Sequence, residues 1–164
     1  MRWYAQQNLK NKFSSLKLEE EIKQKKFRSE KHKAFLNIYY TNGFIISKFE
    51  ALLKEFELTA QQYNILRILR GQKGKDIAMG EIKSRMLDKS SDVSRIVERL
   101  RIKKLVNRKI CPGNRRQMSV KITGTGLDLL SGIDDMDRQT DKILSGISEK
   151  EARQLNGLLD KIRG

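Results

Sequence analysis

The 164-residue sequence has only one cysteine, one histidine and one proline. Cys111 has no partner in the chain, which excludes an intrachain disulfide. His32 lies far from Cys111 in sequence, and no His or Cys spacing is typical of a metal site. The chain also lacks a phosphate-binding glycine loop and a convincing carboxylate pair. These absences argue against an enzyme and predict no cofactor.

Long hydrophobic runs are missing as well. No stretch of about 18 apolar residues occurs, so no membrane-spanning helix is predicted. The first residues, Met1 to Gln7, lack the apolar core of a signal peptide. We therefore expect a cytoplasmic protein with no membrane partner.

Aromatic residues end at Tyr63, whereas positive charge is abundant after it. The net charge is +15, and residues 83–122 contribute +10 of it, with thirteen Lys and Arg against three Asp and Glu. Such a concentration predicts a polyanion-binding surface. Modules for RNA or single strands stack bases on aromatic side chains, and the basic stretch has none. Double-stranded DNA is therefore the favoured partner, and an RNA or single-stranded nucleic-acid module is the alternative.

The hydrophobic periodicity predicts a mainly α fold with a small β-hairpin (α+β). The expected order is helix, helix, short helix, turn, helix, hairpin, helix, helix. Capping boxes predict helix starts at Thr59, with Gln62, and at Ser148, with Glu151. The last helix is expected to bury an apolar stripe, which consists of Ala152, Leu155, Leu158, Leu159 and Ile162.

Residues 1–33 form a basic arm that is predicted to be partly helical. Glu19–Lys23 and Glu21–Lys25 have the i,i+4 spacing of helical ion pairs. Three roles remain open for this arm: a solvated helix, a helix that clasps a dimer, and a DNA-contacting segment.

Residues 80–100 have the pattern of a helix-turn-helix, in which a short helix and a tight turn precede a second helix. Ser90 is the predicted N-cap of that second helix. One face is apolar, and the opposite face carries serines, arginines and Glu98. Because the major groove admits an α-helix, this polar face is the predicted DNA-reading surface.

The candidate contacts fall into two groups. The recognition-helix residues are Ser90, Ser91, Ser94, Arg95 and Arg99. Of these, Ser91, Ser94 and Arg95 are the candidates for base edges. Lys89 and Arg108, together with Arg99, are better placed for phosphates. Glu98 either accepts a hydrogen bond from cytosine or pairs with Arg95 or Arg101.

A basic hairpin follows the second helix. Strands are predicted at residues 105–110 and 117–122, joined by a turn that contains Pro112 and Gly113. Arg115 and Arg116 lie at its tip and are candidates for entering the minor groove. This hairpin is therefore the predicted wing.

Several segments together resemble the MarR family of winged helix-turn-helix regulators. They are Leu58-Thr59-Ala60-Gln61-Gln62, Ser94-Arg95-Ile96-Val97-Glu98-Arg99-Leu100, Leu105-Val106-Asn107-Arg108, Asn114-Arg115-Arg116, and Val120-Lys121-Ile122-Thr123 with Gly126. The resemblance implies a bacterial, homodimeric transcription regulator that binds a pseudo-palindromic operator. It also implies that Arg116 is the wing arginine.

The resemblance further implies a division of the chain. Residues 34–58 would form the first dimerisation helix, residues 59–122 the DNA-binding region, and residues 123–164 the C-terminal dimerisation helices. Two positions depart from the family's pattern. Asn114 replaces an aspartate before the wing arginines, and Lys104 replaces a glycine after the recognition helix. If that position needs a positive φ, lysine costs about 1 kcal/mol there.

Regulators of this type often sense a small aromatic or lipophilic effector. Tyr39, Tyr40 and Phe44 are candidates to line such a pocket, although aromatic residues at helical spacing are also typical of an ordinary core. Cys111 offers a second route, thiol oxidation, but the chain has no other cysteine to resolve a sulfenic acid. An unreactive small side chain in the hairpin is the favoured interpretation.

Overall fold

The computed structural model describes residues 17–111, 114–133 and 136–164, without the side chains of residues 111, 114–117, 136 and 137. The helices are α1 (Leu18–Glu21), α2 (Glu30–Leu53), α3 (Ala60–Arg70), α4 (Met79–Arg85), α5 (Val93–Ile102), α6 (Gly124–Gly132), α7 (Met136–Ile143) and α8 (Glu149–Arg163). The strands are β1 (Ile77–Ala78), β2 (Val106–Cys111) and β3 (Asn114–Ile122). This confirms the predicted class, mainly α with a small sheet. Within the described ranges, no helix is both long and apolar enough to cross a membrane.

The chain divides into two units between Phe44 and Ile45. In the first unit, α1 ends at Glu21, and Lys23 adopts a left-handed φ of 53°. The predicted pairs of Glu19 with Lys23 and Glu21 with Lys25 are therefore wrong. Glu19 instead contacts Lys33 at 2.5 Å, and Glu21 accepts a hydrogen bond from Tyr40. With four residues, α1 is too short to form i,i+4 pairs. Both carboxylates bind side chains of α2 instead.

The second unit is built around α3, whose start is fixed by the predicted capping box. Thr59 accepts from the Gln62 backbone, and the Gln62 side chain accepts from the Thr59 backbone. Helices α3 to α6 bury one face each against the sheet and one another. The fully buried residues are Leu53, Ile65, Leu66, Leu69, Ile82, Met86, Val97, Leu100, Val106, Val120, Leu130 and Ile133.

The sheet is antiparallel with strand order β1-β3-β2. Ile77 pairs with Val120, and Val106 pairs with Ile122, so the apolar positions of the strands lie at the base of the hairpin. Strand β3 begins at Asn114 rather than at residue 117, because pairing continues past an irregularity next to Cys111. The hairpin is thus longer than the sequence predicted.

The base of the hairpin is closed by the start of α6. Thr123 caps α6 through Gly126, and its hydroxyl also donates to the carbonyl of Lys104 at 2.8 Å. Gly126 lies so close to the hairpin that an added Cβ would overlap the Leu105 carbonyl oxygen and stand 2.8 Å from Ile122 Cγ1. The helix and the hairpin therefore pack with backbone against backbone.

The last helix, α8, begins at the predicted capping box of Ser148 and Glu151. None of its residues is buried, however, and Leu155, Leu158 and Ile162 remain 42%, 61% and 66% exposed. The expectation that α8 buries its apolar stripe is therefore wrong for the single chain, because no other described part of the chain covers this face.

Candidate nucleic-acid interface

The turn between α4 and α5 is held by the carboxylate of Asp88. This carboxylate accepts from the Ser90 backbone at 2.9 Å, from the Ser90 hydroxyl at 2.6 Å and from the Ser91 hydroxyl at 2.9 Å. The hydrogen bond from Ser90 is the main reason that the pKa of Asp88 lies below its usual value. Because both hydroxyl protons are given to Asp88, the two serine oxygens are left as hydrogen-bond acceptors.

Helix α5 begins at Val93, with Asp92 as its N-cap accepting from the Arg95 backbone at 3.1 Å. The prediction of Ser90 as N-cap is therefore wrong. Ser90 is bound to Asp88 and lies outside the helix, whereas Asp92 stands where a short carboxylate reaches the first-turn N–H groups.

The faces of α5 are divided as the sequence predicts. Val93, Val97 and Leu100 are buried in the core. Ser94, Arg95 and Arg99 are exposed on the opposite side, and Ser91 is half-buried just before the helix. The folded chain thus presents a row of serine and arginine side chains on one surface.

Glu98 is occupied by arginines. Arg101 donates to both carboxylate oxygens, from Nε at 3.0 Å and from the terminal nitrogen at 2.7 Å. Arg108 on β2 lies 3.6 Å from the same carboxylate. The Arg101 hydrogen bonds are the largest cause of the lowered pKa of Glu98. Of the open roles for Glu98, pairing with Arg101 is the one observed. The additional contact with Arg108 connects α5 with the hairpin.

The predicted phosphate contacts differ in their surroundings. Arg99 is exposed, whereas the Arg108 side chain is about a third exposed, at 31%, because of its contact with Glu98. Lys89 is exposed, but its ammonium donates to the carbonyl of Ser84 at 2.6 Å near the end of α4. The ammonium keeps two further N–H donors, which are available for a phosphate.

A cleft of about 390 Å³ separates the start of α4 from the start of α5. It is lined by Met79, Gly80, Lys83 and residues 90–94. A second cleft of about 260 Å³ is lined by Asp88 together with Gln61, Asp92 and Arg99, among others. Ser91 and Asp92 line both clefts, so the turn before α5 adjoins each of them.

The wing candidates Arg115 and Arg116 fall on β3, but their side chains lie outside the described residues. The same is true of the Cys111 side chain and of the predicted turn pair, Pro112 and Gly113. The hairpin itself is present, as predicted.

The effector candidates lie on the first part of α2. Tyr39 is 74% exposed, Tyr40 42% and Phe44 40%. Tyr40 donates its hydroxyl to Glu21 at 2.7 Å, which raises the pKa of Tyr40. None of the three lines either of the two clefts. Among the described residues, no group of three or more His, Cys, Asp or Glu side chains is arranged to hold a metal ion.

Sequence reasoning missed Asp88 as a functional residue. Its signal is the spacing of an Asx turn, in which an aspartate precedes serines by two and three positions. The pattern is common, and its consequence for the serine hydroxyls becomes visible only in the fold.

Comparison with known proteins gives one consistent family. Residues 56–117 match the model of the MarR family. The chain is 25% identical over 122 residues to the HTH-type transcriptional repressor IacR from Pseudomonas putida, a match that covers 74% of this chain and 72% of IacR.

Solved structures agree with this result. A MarR transcription factor from Planctomyces limnophilus is 32% identical, with a TM-score of 0.64, over 82% of this chain and 98% of that one. BpsR from Bordetella bronchiseptica, whose DNA binding is regulated by 6-hydroxynicotinic acid, is 22% identical. Its TM-score is 0.70 over 80% of this chain and 99% of BpsR, so this likeness concerns the fold.

Proposed function

Because this chain belongs to the MarR family of transcriptional regulators, we propose that it binds a pseudo-palindromic operator in double-stranded DNA as a homodimer. The site of action is the bacterial cytoplasm, where the DNA lies. No catalytic step is part of this function. The observation that carries the proposal is the exposed serine and arginine face of α5, within a stretch of net charge +10.

Base reading is assigned to the start of α5. Arg95 donates two hydrogen bonds to guanine in the major groove, and Ser94 contacts a neighbouring base edge. Ser90 and Ser91 act as acceptors, since their protons are given to Asp88. Their partners are therefore the amino groups of adenine or cytosine.

Phosphate contacts position the helix in its groove. Lys89, Arg99 and Arg108 serve this purpose, and they carry no sequence information directly. Arg115 and Arg116 of the wing extend the contact into the adjacent minor groove, where narrow A·T stretches attract cations.

The homodimer is supported by apolar side chains that the single chain leaves uncovered. Leu158 and Ile162 on α8 are 61% and 66% exposed, and Phe35 on α2 is 65% exposed. Exposed apolar surface of this kind is typical of association sites. A two-fold dimer presents α5 twice, so half-sites are expected about one helical turn apart.

A small aromatic or lipophilic effector is the proposed signal, as the response of BpsR to 6-hydroxynicotinic acid suggests. Tyr39, Tyr40 and Phe44 are its proposed contacts, which a partner protomer would have to enclose because all three are exposed in the single chain. An RNA-binding role is disfavoured, since the basic stretch holds no aromatic residue for base stacking.

Selection of bound duplexes from a random pool, at fixed salt, tests the proposal. An inverted repeat is the expected result, and a monomer that binds no duplex would overturn it. Competition with single-stranded RNA separates the two nucleic-acid hypotheses, because RNA should not displace the selected duplex.

Two variants test the assignment of contacts on the selected duplex. Arg95→Ala should lower discrimination at one position of each half-site by about 1–3 kcal/mol. Arg99→Ala should weaken binding to all duplexes alike. It should also reduce the salt slope, the fall of log K with log salt concentration, by about 0.9 for each phosphate that Arg99 neutralises in the parent. Arg153→Ala on α8 is the matched control and should change neither. Equal binding by all three variants would refute the assigned surface.

A further inference from the structure

A short segment between α1 and α2 has the strongest uncompensated charge of the first unit. We call residues 22–29 the N-terminal basic loop. It contains Lys23, Lys25, Lys26 and Arg28 and no acidic residue. All four cations are exposed, and among the described residues no ion pair involves any of them.

Glu20 and Glu30 flank this loop and are exposed, whereas the other two neighbouring acids, Glu19 and Glu21, are bound to side chains of α2. Glu19 contacts the ammonium of Lys33 at 2.5 Å, and this contact lowers the pKa of Glu19 and raises that of Lys33. Glu21 accepts from Tyr40 at 2.7 Å. Both carboxylates therefore face α2, and neither neutralises the cations of the loop.

Hydrogen bonds and a buried leucine constrain the backbone of this loop at both ends. Leu18, at the start of α1, is only 6% exposed, and Ser29, at the end of the loop, accepts from the His32 backbone at 3.1 Å. Inside the loop, Gln24 donates to the carbonyl of Lys26 at 3.0 Å. Less conformational entropy is lost on binding when the charged side chains start from an ordered backbone.

The apolar residues of the loop are turned inward. Ile22 and Phe27 are half-buried, and Phe27 packs edge-on against His32 with ring centroids 6.3 Å apart. The ammonium of Lys33 lies 5.6 Å from the Phe27 ring. Amphipathic segments that lie in a lipid surface insert exposed apolar side chains beside their cations. This loop exposes the cations alone, so it suits a phosphate backbone better than a bilayer.

We propose that the N-terminal basic loop is a second DNA-binding surface, which contacts backbone phosphates in the duplex that flanks the operator. The inference rests on the proposed function, because it needs a duplex already bound through α5. Double-stranded DNA has one negative charge for about every 1.7 Å of its axis, so four clustered cations have several phosphates within reach. These contacts add affinity and salt dependence, and they read no sequence.

The test uses the full chain and a variant with all four cations neutralised, K23Q/K25Q/K26Q/R28Q. Binding is measured against salt on two duplexes, the shortest selected operator and the same operator extended by about 10 bp on each side, one helical turn. On the extended duplex the salt slope of the variant should fall by about 0.9 for each phosphate that the loop neutralises in the parent. On the short duplex the two proteins should bind alike.

Two controls separate local contacts from net charge. K142Q/K150Q/R153Q/K161Q removes the same number of exposed charges from α7 and α8, on side chains outside the apolar stripe of α8, and should leave both slopes unchanged. Sedimentation equilibrium verifies that this control has the oligomeric state of the parent. K23R/K25R/K26R retains the charge of the loop and should behave as the parent. Equal reductions of the slope in the control and the loop variant would overturn the inference, because they would show a net-charge effect.

The outcomes also separate this inference from the proposed function. If the parent selects an operator but the loop variant has the same slope as the parent on both duplexes, only the loop assignment fails. If the parent binds no duplex, both fail. Loss of binding to phosphatidylserine vesicles, with DNA binding intact, would overturn the inference in favour of a lipid surface.

Discussion

Lys104 occupies a backbone conformation that usually belongs to glycine. Its φ is 60°, directly after the last turn of α5. The Lys104 N–H donates to Arg101 at 2.9 Å, and the Leu105 N–H donates to Leu100 at 3.0 Å. These two bonds form a Schellman motif, whose left-handed position strains a side chain that has a Cβ. The family's glycine at this position predicted the strain from sequence, and the structure confirms the positive φ.

Lys104→Gly is expected to raise the free energy of unfolding by about 1 kcal/mol, because glycine adopts this φ without strain. Chemical denaturation measures the change. Lys104→Ala is the matched control: it removes the charge but keeps the Cβ, so it should give no comparable gain. An equal gain in both variants would assign the effect to charge instead.

Asp88 makes the stability of the turn depend on pH. Its pKa in the folded chain lies below the ordinary value of 3.8, so its contribution is present at neutral pH and is lost as pH falls through the folded pKa. Asp88→Asn should therefore be less stable than the parent at pH 7, and the difference should shrink below about pH 4. Denaturant midpoints across this range give the measurement.

A second variant checks the cause of this pH dependence. Ser90→Ala with Ser91→Ala removes the hydroxyl donors that hold the carboxylate ionised. In the double variant, the denaturant midpoint should therefore depend less on pH below about pH 4 than it does in the parent. A pH profile identical to that of the parent in both variants would contradict the proposed role of Asp88.

At the scale of elements, the helix-start signals were reliable where the cap and its partners lie close in sequence. The capping boxes at Thr59 and Ser148 are both present. The prediction of Ser90 as an N-cap was wrong because the Ser90 hydroxyl donates to Asp88, two residues before it, instead of accepting from the first turn of α5. The contacts of Glu19 and Glu21 with α2 span 14 and 19 residues, a separation at which periodicity carries no information.

The contact between α6 and the hairpin has no room for a side chain at Gly126. Gly126→Ala should lower the free energy of unfolding by about 1–3 kcal/mol, because its Cβ would overlap the Leu105 carbonyl oxygen. Gly124→Ala is the matched control in the same helix turn, since nothing lies within 4 Å of its added Cβ. Thermal or chemical unfolding distinguishes them, and equal effects would refute the packing argument.

At the scale of the whole molecule, the hydrophobic periodicity and element order were sufficient to predict the fold class, and the resemblance of several short segments predicted the family. They did not reveal which apolar helix faces are buried within one chain. Leu158 has the spacing of a core residue but is 61% exposed. A hydrophobic period indicates that a face is covered, and it does not say whether the cover is the same chain or a second copy.

Leu158→Lys should convert the proposed dimer to a monomer. In a two-fold interface the substitution occurs twice, and each copy loses a leucine that the proposed dimer buries. The dissociation constant of the dimer should therefore rise by about 100-fold or more. Sedimentation equilibrium measures it, with Leu87→Lys as the control, because Leu87 is 88% exposed in the turn before α5. An unchanged dimer in Leu158→Lys would exclude α8 from the interface.

The shared connection at Leu105 has a mechanical consequence. Its N–H is bonded to the end of α5, and its carbonyl accepts from Thr123 at the start of α6. Leu105 thus links the start of α6 to both the end of α5 and the base of the wing. A signal that tilts α6 is therefore expected to displace the recognition helix and the base of the wing together, which changes how both meet the DNA grooves without unfolding either.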